Sequence, residues 1–213
     1  MPAPRGEGAL RRQARLWREE PIHRVAVRAR LMRPLRVRQL GAFGPASILD
    51  RPAWLYGSRH VSIGAGAIIL RGGWIAVERS AWSATEPVLR IGDRVAIRMG
   101  VTISAAASIV IEDDVGMGAY VTIIDSKHTW AAGDPNALHG PLESAPIRIG
   151  RGTWLADRVT VAPGADIGEQ CAIGPNSVVS AKVPDFSVVV GNPGRVVGTT
   201  RPAAAEDGDR ART

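Results

Sequence analysis

Residues 147–184 read IRIGRGTWLADRVTVAPGADIGEQCAIGPNSVVSAKVP, and this stretch decides the fold. An aliphatic residue returns every six positions, at Ile149, Leu155, Val161, Ile167, Ile173 and Val179, and a small residue follows each one. Four positions after each aliphatic stand Thr153, Val159, Ala165, Cys171, Ser177 and Val183, all small or β-branched. A 3.6-residue helix does not hold such a period, and an ordinary strand alternates every second residue. A repeat this short makes each unit one strand plus a corner. Three units then form one coil of a parallel β-helix, with the aliphatic residues stacked up its inside. Cys171 falls in an inward small-residue slot and reads as a core thiol.

Working outward, the period extends back through Ile123, Met117, Ile111, Ile109, Ile103, Ile97 and Ile91 to Ile75, Ile69 and Ile63. Four units begin with a doubled aliphatic: Val61-x-Ile63, Leu89-x-Ile91, Ile109-x-Ile111 and Ile147-x-Ile149. Alternate residues of a strand face the same way, so both members point inward and each coil owns one longer strand. The small residue after the aliphatic is expected to ease a tight corner, where glycine tolerates unusual backbone angles. Four to five coils are expected, with residues 41–60 as a transition in which Ile48, Trp54 and Leu55 cap the first coil. Two breaks interrupt the period, at 78–87 and at 125–146. Both are expected to be loops thrown out from corners, and a loop as long as the second is uncommon unless functional. Trp74 and Trp154 occupy the sixth position of their units and should face outward, where a subunit or a ligand would cover them.

The chain has 213 residues and a net charge of +7, concentrated in its first forty residues. The basic balance therefore belongs to one segment and does not argue for nucleic-acid binding by the whole. No apolar run is long enough to span a bilayer, and the start lacks the apolar region of a signal peptide, so a cytoplasmic location is the expectation. One cysteine excludes an internal disulfide framework. Three parts are expected: a basic, partly helical or disordered N-terminal arm over 1–45, a β-helix over 46–197, and a disordered tail over 198–213. Within the arm, 9–20 has helix-forming composition. Residues 25–40 suit either a basic amphipathic helix or an extended arm, which could touch an acidic membrane surface or pack on the body.

The repeats from 61 to 184, the interruption at Asp125-Ser126-Lys127-His128 and the ending Val188-Val189-Val190-Gly191-Asn192-Pro193-Gly194-Arg195 together resemble the hexapeptide-repeat acyltransferases of the maltose, galactoside and xenobiotic acetyltransferase type. The resemblance implies an all-β, left-handed parallel β-helix, a homotrimer, acetyl-CoA as co-substrate and no metal. It implies that His128 is the catalytic base. Imidazole suits that work near neutral pH. Asp125, three residues earlier, stands to orient the ring or touch the acceptor, and Trp130 stands as a further acceptor contact. Trp154, Ala156, Gly174, Ser180, Lys182 and Arg195 match positions on the CoA groove. The family's usual Thr-Lys-Asp triplet is here Ser180-Ala181-Lys182, with Lys182 as the residue to replace the missing lysine. The implied reaction is O-acyl transfer, to a hydroxyl of a saccharide or glycosylated metabolite. N-acetyl transfer to an amino sugar and a non-catalytic scaffold are the alternatives. The zinc-dependent β-helix carbonic anhydrases need three converging histidines, which the spacing of the four His does not offer.

Overall fold

The computed structural model describes residues 21–130 and 140–202. The helix expected over 9–20, part of the second loop and most of the expected tail lie outside the described residues. Among the described residues, short strands form three long sheets of seven, eight and six strands, plus one two-stranded hairpin. Within each long sheet the neighbours are parallel, except for the last strand of the eight-stranded sheet. The chain visits the three sheets in rotation. Strands 61–63, 68–69 and 74–77 make one coil, 89–91, 96–97 and 102–105 the next, and 109–111, 116–117 and 122–124 the one after.

The register explains why a six-residue period makes a prism. On the first sheet, Phe43, Ile63, Ile91, Ile111, Ile149, Ile167 and Val183 pair one above another. All seven are buried, and so are their counterparts Ile69, Ile97, Met117, Leu155 and Ile173 on the second sheet. Each such side chain removed from water contributes about 1.5–3 kcal/mol. The residues four positions on, Thr153 to Val183, are buried too. The polar ones among them are satisfied. Thr153 Oγ1 donates to Gly168 O at 2.9 Å and accepts from Cys171 N at 3.1 Å, while Ser177 Oγ accepts from Gly191 N at 3.1 Å. Cys171 is buried, as its slot predicts, and burial pushes its thiol above the ordinary range.

Four expectations change. The coils begin earlier than residue 46: strands 42–43, 48–49 and 54–56 form a complete first coil, so Ile48, Trp54 and Leu55 belong to it. Counting down the three sheets gives six complete coils and part of a seventh among the described residues, where four to five were expected. The first break is not a bare loop. Residues 79–81 form a 3-10 turn, and Trp82 Nε1 donates to Val77 O at 3.0 Å. The glycine after each aliphatic is required by close approach, not by φ: a Cβ on Gly150 would lie 2.5 Å from the Gly168 carbonyl. The left-handed residue falls two positions later, at Gly152, Gln170 and Asn176.

Both ends of the prism are covered. Helix α1 (Pro21–Gln39) packs on the first coil. It is a helix and not an extended arm, but its polarity is unusual. Arg28 and Arg33 turn toward the coil, where Arg28 meets Asp50 at 3.0 Å and Arg33 donates to Gly44 O at 2.8 Å. Val27, Leu31 and Leu35, spaced at i, i+4 and i+8, are exposed. At the far end, strand 195–199 turns back antiparallel along 187–190 and blunts the open sheet edge, carrying ordered structure past the expected boundary at 197.

Candidate functional site

The second break leaves the corner between the third and first sheets after strand 122–124. Its two arms are not structureless. Residues 126–128 pair antiparallel with 142–144, with Ser126 opposite Ser144 and His128 opposite Leu142. Thr129 N donates to Pro141 O at 2.9 Å, and Ala145 N donates to Asp125 O at 2.8 Å. Lys127 and Glu143 form an exposed ion pair at 3.6 Å across the hairpin. The hairpin thus holds His128 out from the prism on a paired strand.

His128 is exposed, and its Nδ1 lies 3.1 Å from Gly140 O. A carbonyl oxygen can only accept, so this bond places the ring proton on Nδ1 and leaves the Nε2 lone pair available. Gly140 is the orienting group, and nothing in the sequence marks it, because it acts through its main-chain carbonyl. Trp130 is strongly exposed at the edge of the described part of the loop.

Asp125 is placed differently from His128. Its side chain is fully buried, and its two oxygens accept from the backbone N–H groups of Ala106, Ala107 and Ser108 at 2.7, 2.8 and 2.9 Å. Burial pushes its carboxyl above the ordinary range, and those amide bonds oppose the shift. The carboxylate therefore holds the corner of the preceding coil together through three main-chain N–H groups.

Three of the six groove residues converge. Ser180, Lys182 and Arg195 line one small cavity of about 80 Å³ with Pro193 and Gly194. Ser180 also lines a shallow cavity beneath the hairpin, with Lys127, Ala145 and Ala162. Its corner is therefore continuous with the His128 loop. Lys182 sits opposite Asp166 on the first sheet. Ala156 and Gly174 lie one coil apart at the other corner of the third sheet, where Gly174 N donates to Val189 O. Trp154 is outward, as expected, and lies flat over Gly116, whose absent Cβ would meet the ring at 2.7 Å. Trp74 is outward too, stacked on Trp54 of the same chain with ring centroids 5.3 Å apart, and both rings stay about half exposed.

A prism of three parallel sheets with six-residue units defines a parallel β-helix of hexapeptide repeats. Residues 146–181 match the family described as bacterial transferase hexapeptide (six repeats). Over 127 residues it is 32% identical to a Mycobacterium tuberculosis protein named as acetyltransferase Rv3034c, covering 59% of this chain and 42% of that one. Over 117 residues it is 32% identical to the Escherichia coli K12 protein WbbJ, named for lipopolysaccharide biosynthesis O-acetyl transfer, covering 52% and 60%. The chain thus spans about half the length of these curated relatives. Among solved structures it resembles a hexapeptide-repeat acetyltransferase from Vibrio cholerae in complex with acetyl-CoA. The TM-score is 0.57 at 21% identity, over 92% of both chains. That likeness is one of fold and agrees with the left-handed coil that the repeat resemblance implies.

Proposed function

We propose that this protein is a CoA-dependent O-acyltransferase that moves an acetyl group from acetyl-CoA to a hydroxyl of a saccharide or glycosylated metabolite. The observation that carries the reading is the His128–Gly140 bond, which fixes the tautomer a general base needs. His128 Nε2 takes the proton of the acceptor hydroxyl as its oxygen attacks the thioester carbonyl carbon. The C–S bond then breaks, and the leaving thiolate takes the proton back from the imidazolium. No covalent acyl-enzyme forms. The oxyanion of the tetrahedral intermediate calls for N–H donors.

Ser180, Lys182 and Arg195 supply hydroxyl and cationic groups that suit the phosphates and amides of CoA. Ala156, Gly174 and Trp154 complete the groove on this reading, and Trp130 meets the acceptor. The relatives named for acetyl transfer support the activity, and the one named for lipopolysaccharide biosynthesis supports a saccharide hydroxyl over an amine. A homotrimer is part of the same proposal, because a second prism would complete the groove. The test is thiol release from acetyl-CoA against hydroxyl and amine acceptors. His128→Ala should lower the rate by about 10²–10⁴-fold, with an unchanged melting temperature because the side chain is exposed. Retained activity in that variant would overturn the assignment of the base. A preference for amine acceptors would move the reading to N-acetyl transfer.

A further inference from the structure

One sizeable cavity lies away from the His128 loop. It has a volume of about 490 Å³ and opens between α1 and the corner joining the second and third sheets in the first three coils. Arg24, Arg28, Arg51 and Arg71 line it, together with a single carboxylate, Asp50. Asp50 is buried and already engaged, lying 3.0 Å from Arg28 Nη2 and 3.7 Å from Arg51 Nε. Arg28, Arg51 and Arg71 thus bring three guanidinium groups to one carboxylate among the described residues.

Two details favour an anion here: a buried donor that lacks an acceptor, and an exposed guanidinium that is open to a ligand. The Nε–H of Arg28 is buried and has no hydrogen-bond partner among the described residues, a state that costs free energy unless something accepts from it. The Arg71 side chain has no hydrogen bond or ion pair among the described residues, although it stands on a corner stacked directly over the next coil, where Gly100 N donates to its carbonyl. Like charges gathered in a concavity focus a positive potential that draws in an anion. Guanidinium forks match phosphate oxygens in pairs. The cavity also has an apolar side, formed by Val25, Leu70 and Met99. A bare inorganic anion would leave that side unused.

We propose that this cavity binds the diphosphate group of a small soluble molecule, with Arg51 and Arg71 on the phosphates and Leu70 and Met99 against an apolar or aromatic moiety attached to them. The site is separate from the groove that Ser180, Lys182 and Arg195 line, and the proposal stands independently of acetyl transfer. The sequence pattern hid it because its arginines come from three places: α1, and the corners after strands 48–49 and 68–69.

The test uses the full chain and isothermal calorimetry at physiological salt, with pyrophosphate, uridine diphosphate and vesicles of phosphatidylcholine containing phosphatidic acid as three separate probes. Saturable binding of pyrophosphate, tightened by the nucleoside, is expected. Arg71→Ala should weaken it about tenfold, the loss of one charge-assisted pair, and Arg51→Ala,Arg71→Ala should abolish it. Both variants should keep their ligand-free melting temperature, since neither residue is buried. Arg28→Ala is avoided because it would strand Asp50. Equal affinity in wild type and the double variant, no saturable binding of either soluble probe, or binding to vesicles alone would each overturn the proposal.

Discussion

Five aspartates share one position in the repeat, two residues after an inward aliphatic: Asp93, Asp113, Asp125, Asp157 and Asp185. Each accepts a backbone N–H from the neighbouring coil. Asp93 accepts from Ala65 N at 2.7 Å, Asp113 from Asp93 N at 2.9 Å, Asp157 from Ala119 N at 2.7 Å and Asp185 from Glu169 N at 2.9 Å. Asp125 accepts three. Its closeness to His128 in sequence suggests chemistry, while its place in the repeat says corner. The second signal was legible in the sequence and is the one the structure follows. Asp125→Asn replaces one acceptor oxygen with an NH₂ facing an N–H donor. It should cost about 1–3 kcal/mol of stability, read as a lowered urea midpoint, with the acceptor KM unchanged. A raised KM at an unchanged midpoint would return Asp125 to the acceptor space. Gly140 is the opposite case. It orients His128 through a carbonyl that any residue type carries, so no residue pattern could have singled it out.

At the scale of the element, the corner makes two separate demands on the backbone. At the first residue after the aliphatic, the next coil's main chain approaches so closely that a Cβ on Gly150 would sit 2.5 Å from the Gly168 carbonyl carbon and oxygen. Two residues later the backbone turns left-handed, but there is room: a Cβ on Gly152, at φ +67°, would meet Gln170 Cγ at an ordinary 3.4 Å. Gln170 and Asn176 occupy the equivalent corner position at φ 51° and 58° with side chains attached. Gly150→Ala pushes backbone against backbone and should cost about 1–3 kcal/mol or more. Gly152→Ala should cost the smaller left-handed penalty, about 1 kcal/mol. Parallel thermal melts of the two variants check the ranking, and a Gly152→Ala loss equal to or above that of Gly150→Ala would reverse it. The period alone showed where the corners fall. It could not say which of these two demands each glycine meets, because that depends on the distance between coils.

The whole molecule leaves its proposed site unfinished. The cavity shared by Ser180, Lys182 and Arg195 holds about 80 Å³, far less than a ligand of CoA's size requires. Ala156 and Gly174 stand across the third sheet from it, and His128 and Trp130 project into solvent. Small-molecule sites bury most of their ligand, so a second surface must close over this one if CoA is to be held. The prism offers flat outer faces for that closure, with Trp154 about half exposed on one of them and Val27, Leu31 and Leu35 of α1 exposed at the end. Closed rotational symmetry completes every site at once, because each prism then lends a face to its neighbour. The homotrimer that the repeat resemblance implies would meet this need, and light scattering on the eluting peak should then give three times the 22.6 kDa of the chain. Trp154→Ala should lower that mass toward the single chain on dilution and lower the rate of thiol release with it. A fully active species of 22.6 kDa would mean that one prism holds CoA alone, and the groove would then have to be sought on the face between Ser180 and Gly174 within a single chain.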